Sequence, residues 1–154
     1  KKYKNKPPNE AYIFGQSNKG IVYSRVPQTL NQLKQCLLDG YLFAFGMSVY
    51  SNFEDEDVEK TGFVKFPTKN DVYLGGHAVC AVGFNDEKSM FVVRNSWGSD
   101  WGDHGYFYLP YDFVTNPDFV YDIWTFRNQP DTISFTNTEG KIFKIKKRTT
   151  CVLC

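Results

Sequence analysis

The sequence predicts an α+β fold: a curled, barrel-like antiparallel sheet that carries one short helix. Residues 75–109 fall into three apolar, aromatic-rich runs separated by short polar turns, the pattern of consecutive antiparallel strands. Residues 41–50, YLFAFGMSVY, form a nearly continuous apolar run of strand length. One stretch, between Thr29 and Gly40, has helical spacing with both ends signalled. At 154 residues, with 42% hydrophobic and 18% aromatic content, the chain has single-domain length and enough apolar mass for a core.

Residues 1–11 are basic and proline-rich and read as an exposed segment or cleavage junction. Residues 11–26 hold two short apolar runs around a Ser-Asn-Lys-Gly turn, which predicts extended structure crossing between two lobes. The helix follows: Thr29 and Gln32 make a capping pattern, Leu30, Leu33 and Leu37 share a face, and Gly40 stops it. Cys36 lies on that stripe. It reads as a small buried hydrophobe rather than a nucleophile, because nothing near it in sequence lowers its pKa. The run at 41–50 predicts a strand covered on both faces. Five carboxylates between Glu54 and Glu59 predict a solvated loop, with cation or basic-substrate binding as the alternative; the Gly and terminal Glu of a calcium loop are missing.

After residue 109, PYDFVTNPDFVYDIWTFRN predicts a further turn and the closing strand of the barrel, with Trp124 in the core. Residues 131–154 form a basic extension, in which DTISFT and KIFKIKK flank a Thr-Glu-Gly turn and predict an added hairpin bearing Lys141, Lys144, Lys146, Lys147 and Arg148. The expected division is therefore an exposed segment 1–11, a β-barrel domain 12–130 and the extension 131–154.

A formal net charge of +1 provides no global field for nucleic acid or membrane, so any electrostatic partner must be met by a local patch. No nucleic acid is expected. Cysteines 36, 80, 151 and 154 are too few and too uneven for a disulfide framework, and no Cys/His cluster has zinc spacing, so neither metal nor cofactor is expected. The ending KKRTTCVLC has the Cys-aliphatic-aliphatic-X shape of a prenylation signal at Cys151, although a final cysteine is unusual there. A Cys151/Cys154 thiol pair, or a chain stopping short of a membrane segment, are the other readings. Membrane association is expected only if the tail is lipidated.

The chemistry-bearing pair is His77 and Asn95. An imidazole moves protons near neutral pH, and a carboxamide holds it in one tautomer. If FNDEKSM is a hairpin turn centred near Asp86, residue 77 lies opposite 95 with Cβ atoms about 5 Å apart. Trp97 would then cover the bond against water. The alternative is a pair of ordinary strand residues. Cys80, three residues after His77, points to the opposite face of a strand. His104 reads as solvent-exposed, and Gly98, Gly102 and Gly105 as suppliers of turn conformations.

The segments GGHAV, VGF and VVRNSWGSDWGDHGYFYL, and more loosely residues 28–50, resemble the papain-like (cathepsin, C1-type) cysteine peptidases over roughly residues 12–127. The Gly-Gly before His77 resembles the cathepsin B branch. The resemblance implies a papain-like fold, of which this chain is the right-hand, β-barrel half, the N-terminal helical half being absent. It implies His77 as general base and imidazolium partner of a thiolate, with Asn95 orienting it. It further implies Gly76 binding substrate through its main-chain carbonyl, and Trp97 and Trp101 supporting the site. The family's nucleophile lies in a Gln…Gly-Ser-Cys-Trp motif, which does not occur here. The implied partners are an N-terminal half carrying that cysteine and a peptide or protein substrate. The implied setting is lysosomal or secretory. The rival readings are a non-catalytic peptide- or protein-binding domain and an isolated structural module.

Overall fold

The structure, a computed structural model, describes residues 4–17, 21–128, 132–136 and 142–146. Two compact units are present, one formed by Lys1–Val22 with Asn128–Thr149 and the other built on Tyr23–Arg127. The first holds helix α1 (Asn9–Ser17) and an antiparallel hairpin of β7 (Thr132–Thr136) and β8 (Ile142–Lys146). That hairpin is the one expected. Lys141, Lys147, Arg148, Cys151 and Cys154 lie outside the described residues. The segment expected to be extended from residue 11 is α1 instead: Pro7 and Pro8 precede it, and Ala11 N–H donates to the Pro8 carbonyl to open the first turn.

The larger unit is organised by a six-stranded sheet in the order β1-β6-β2-β3-β4-β5, from β1 (Ile21–Arg25), β2 (Phe43–Tyr50), β3 (Tyr73–Asn85), β4 (Met90–Arg94), β5 (Tyr106–Pro110) and β6 (Val120–Asn128). The sheet does not close into a barrel. β6 returns between β1 and β2 rather than beside β5, and the outer edge of β5 is already taken: Tyr108 exchanges backbone hydrogen bonds with Gly62 and Val64. An edge whose donors and acceptors are satisfied recruits no further strand.

Helix α2 (Leu30–Leu38) forms as its pattern predicts, with the Thr29 hydroxyl accepting from Gln32 N–H and Gly40 at φ 82 beyond its end. Its Leu33 and Cys36 are buried on the sheet with Phe113 and Val114 of α4 (Tyr111–Thr115). β2 alternates strictly. Phe43, Phe45, Met47 and Val49 are buried, while Ala44, Gly46, Ser48 and Tyr50 are half-exposed, so the strand expected to be covered on both faces has one open face. Trp124, expected in the core, lies on the face opposite its buried neighbours Ile123 and Thr125, with Arg25 over its ring at 4.5 Å and its indole N–H donated to Asp122.

The acidic segment is not a loop. A 3-10 turn (Ser51–Glu54) leads into α3 (Glu56–Thr61), whose first turn holds Glu56, Asp57 and Glu59. Carboxylates at a helix N-terminus oppose its positive dipole end, which turns a charge run into a helix start. The described residues thus hold four α-helices where one was expected.

The β3–β4 turn is pinned to the helical layer by one carboxylate. Asp86 accepts from Lys34 Nζ of α2 at 2.5 Å and from the Tyr111 hydroxyl at 2.8 Å, and Tyr111 N–H donates to the Ser89 carbonyl. The Lys34 ammonium, aided by the Tyr111 hydroxyl, holds the Asp86 carboxyl below its ordinary range. A carboxyl depressed in the fold stabilises it above the unfolded-state pKa and stops doing so once pH falls through the folded-state value. Asp86→Asn should therefore lower the urea midpoint at neutral pH, with the gap from the parent closing below about pH 4. A gap independent of pH would show that the carboxylate charge is not what pins the turn.

Candidate active site

His77 lies in the first half of the 13-residue β3, opposite Met47 of β2, which is 1% exposed. Asn95 follows the last residue of β4 and is 8% exposed, and its backbone N–H donates to the Gly105 carbonyl at 2.9 Å. Their side chains meet, His77 Nε2 to Asn95 Oδ1 at 2.9 Å. The register that brings them together is not the expected one. Ala81 pairs with Val93 and Cys80 with Arg94, with an irregularity between Ala81 and Gly83. Continued one residue, this register sets Asn95 across from Val79, so it reaches His77 diagonally along one face. The turn is responsible: the Asn85 side chain accepts from Lys88 N–H and Ser89 takes φ 53, which shifts the turn centre past Asp86.

The same amide oxygen accepts from Ser96 N–H at 2.9 Å. A backbone N–H only donates, so the atom facing it is the oxygen and the amide has one permitted orientation. His77 Nε2 must then carry the proton it donates to Asn95, and Nδ1 is the nitrogen left open to exchange protons. Asn95 Nδ2 is buried without an acceptor among the described residues. Trp97 stacks on the imidazole at 5.3 Å and 27° and is itself 44% exposed, a lid with one face to solvent. Trp101, 9% exposed, packs edge-on against Trp97 at 5.0 Å.

Phe53 holds this aromatic group together. Its ring is 5.5 Å from Trp97, 5.4 Å from Trp101, 5.2 Å from Phe107 and 6.5 Å from His77. It stands at the head of the acidic segment, and its only signal in the sequence is a lone aromatic before a charge run. Gly102, at φ 62, lets the intervening loop fold tightly: a Cβ there would lie 2.4 Å from the Tyr106 carbonyl oxygen.

Beside His77, a cleft of about 440 Å³ runs between the open faces of β2, β3 and β6 over Ala44, Gly46, Gly76, Ala78, Tyr121 and Trp124. Tyr121 sets its floor by lying on missing side chains. A Cβ on Gly46 would come within 2.5 Å of the Tyr121 ring, and one on Gly76 within 2.8 Å of its hydroxyl. Nothing in the sequence marks Tyr121 as a site residue, because its role depends on β6 lying beside β2.

A family model described as papain family cysteine protease matches residues 8–116. The chain belongs to the papain family. It is 40% identical over 140 residues to an uncharacterized peptidase C1-like protein of Acanthamoeba polyphaga mimivirus, covering 86% of this chain and 45% of that protein. Cysteine proteinase 2 of Entamoeba histolytica is 35% identical over 88 residues, covering 54% of this chain and 27% of its own length. Xylellain, a cysteine protease from Xylella fastidiosa, superposes with a TM-score of 0.75 at 40% identity, over 80% of this chain and 46% of its own. The chain thus spans less than half the length of each of these relatives. The papain-like fold is the one expected, in the form of an open sheet.

Neither described cysteine of this papain-family chain is placed as a nucleophile. Cys36 is 6% exposed with Sγ 3.6 Å from the Tyr41 carbonyl, and burial pushes its thiol pKa up against the opposing pull of Thr125 and Arg127. Cys80 lies on the face of β3 opposite His77, whose own face continues through buried Val79 and Ala81. His104 is exposed at φ 53, as expected, and Gly98, Gly102 and Gly105 all take positive φ.

The fixed amide makes a spectroscopic prediction. In ¹⁵N-labelled protein, neutral His77 should carry its proton on Nε2, with Nδ1 giving the signal of an unprotonated ring nitrogen; Asn95→Ala should erase that preference. A neutral ring protonated on Nδ1 would mean that the Asn95 contact does not set the tautomer.

Proposed function

We propose that this chain carries the proton-transfer half of a cysteine endopeptidase: His77 as general base and acid, Asn95 as its orienting residue, and the nucleophilic thiol on an N-terminal half supplied by a further segment. The observation carrying this reading is the Asn95 oxygen shared between Ser96 N–H and His77 Nε2, which leaves Nδ1 as the one exchangeable ring position. In the proposed reaction Nδ1 takes the thiol proton and the imidazolium keeps the sulfur ionised. The thiolate adds to the peptide carbonyl, Nδ1–H returns its proton to the leaving amine, and the neutral ring then deprotonates the water that cleaves the thioester. Trp97 excludes water from the Nε2 bond throughout. The cleft floored by Tyr121 would take a substrate side chain, with the Gly76 main chain alongside it. Membership of the papain family supports the reaction class.

A second reading is a papain-like domain that binds peptide or protein without cleaving it. It draws on the placement of the described cysteines, one buried and one on the wrong face.

An irreversible, thiol-directed epoxide applied to the full-length protein separates the two, read by intact mass and peptide mapping. The peptidase reading expects one adduct, outside residues 1–154 and lost in His77→Ala. An adduct on Cys36 or Cys80 would overturn the assignment of the nucleophile, and no adduct would favour the binding domain. In the active protein, Asn95→Ala should lower kcat on the order of 10²-fold with little change in KM, since orientation of the ring matters mainly in the transition state. A change confined to KM would count against that role.

A further inference from the structure

A second cavity, of about 140 Å³, lies on the other side of the sheet, where β1, α2 and β6 meet. Thr125 and Arg127 line it from β6, whereas Trp124 and Phe126 line the cleft beside His77, as strand alternation requires. All of its lining residues belong to the larger unit. Most polar groups on its wall are already engaged. The Thr125 hydroxyl donates to the Leu42 carbonyl at 2.8 Å, Cys36 Sγ to the Tyr41 carbonyl at 3.6 Å, and Gln35 Nε2 to the Asp39 carboxylate at 2.7 Å. Arg25 is paired with Asp122 at 3.1 Å. Arg127 differs. Its guanidinium carbon lies 3.9 Å from the Tyr41 ring centroid, and its Nε is buried with no hydrogen-bond acceptor. No carboxylate among the described residues forms an ion pair with it.

We propose that this cavity is a binding site for a small oxyanion, a carboxylate or phosphate group, held by Arg127. With the face of the guanidinium against Tyr41, its in-plane N–H groups are the means of binding, and that fork matches two oxygens of one anion. A buried charged donor without an acceptor is costly, and a ligand oxygen removes the cost. Two further donors stand on the wall without hydrogen bonds among the described residues, the Ser24 hydroxyl on β1 and the Gln32 amide on α2. An anion there would join three elements of the fold through groups that have no other partner. The opposing charge is that of Asp39, which is exposed and already bonded to Gln35. A cation or an apolar ligand would leave the Arg127 Nε–H unpaired. The cavity faces away from the cleft beside His77, so this inference stands apart from the peptidase reading.

The test is titration of the ¹⁵N-labelled full chain with sodium phosphate and, separately, with sodium acetate, exchanged against chloride at constant ionic strength. The NMR signals of the Arg127 Nε–H and the Gln32 side-chain amide should shift together and saturate. Saturation by phosphate alone identifies a phosphate ligand, and saturation by acetate a carboxylate. Arg127→Gln, read at the Gln32 amide, should weaken binding on the order of tenfold, and Ser24→Ala should weaken it less. Lys69→Gln, an exposed lysine away from the cavity, should leave it unchanged. The Arg127 and Gln32 signals of the unaltered chain decide the matter even if the Arg127 variant misfolds. Signals that drift without saturating, saturable shifts confined to exposed lysines, or undiminished binding by Arg127→Gln would each overturn the proposal.

Discussion

The site hangs on one oxygen. Asn95 Oδ1 accepts from Ser96 N–H and from His77 Nε2, and this double engagement removes the two freedoms that would blur the geometry, the flip of the amide and the choice of imidazole tautomer. The oxygen is held in place by the backbone bond from Asn95 to Gly105 and by the loop between them, which turns through three glycines at positive φ and folds Trp97 and Trp101 back over Phe53. Burial of the amide keeps water from competing for the imidazole, so a neutral hydrogen bond acquires the persistence that a positioning role requires.

Much of this was legible, for reasons that differ from residue to residue. Thr29, Leu33, Cys36 and Gly40 were readable because a helix is specified by neighbours three and four positions apart. His77 and Asn95 were readable as a pair because a hairpin folds nearby sequence together. Their register was not, because it depends on whether Asn85 caps the turn and whether β3 takes an extra residue near Val82. The side chains still meet because the diagonal neighbour on one face of a sheet is within reach of an amide and an imidazole.

What the sequence hid were relations between distant elements. Phe53 and Tyr121 carry no local mark; one becomes central because the segment after β2 tucks beneath the tryptophan loop, the other because β6 returns beside β2. Helix α1 is hidden because its apolar run is no longer than a strand, and α3 because a charge run at a helix N-terminus looks the same in sequence as a solvated loop. The closed barrel failed on an edge: the residues after α3 already pair with β5.

The fate of the cysteines follows from the same geometry. A nucleophilic thiol needs a neighbouring cation and an open approach, and the pull of Arg127 on Cys36 runs in that direction. Desolvation is the larger effect and wins, because Cys36 sits where α2 packs on the sheet. Cys80 is excluded by the alternation that places His77 well, since a strand cannot present residues three apart on one face. With Nε2 committed to Asn95 and Trp97 stacked on the ring, a thiol must approach along Nδ1. The sheet that orients the imidazole so firmly offers no cysteine on that side among the described residues, which is why the proposed peptidase reading assigns the thiol to a second segment.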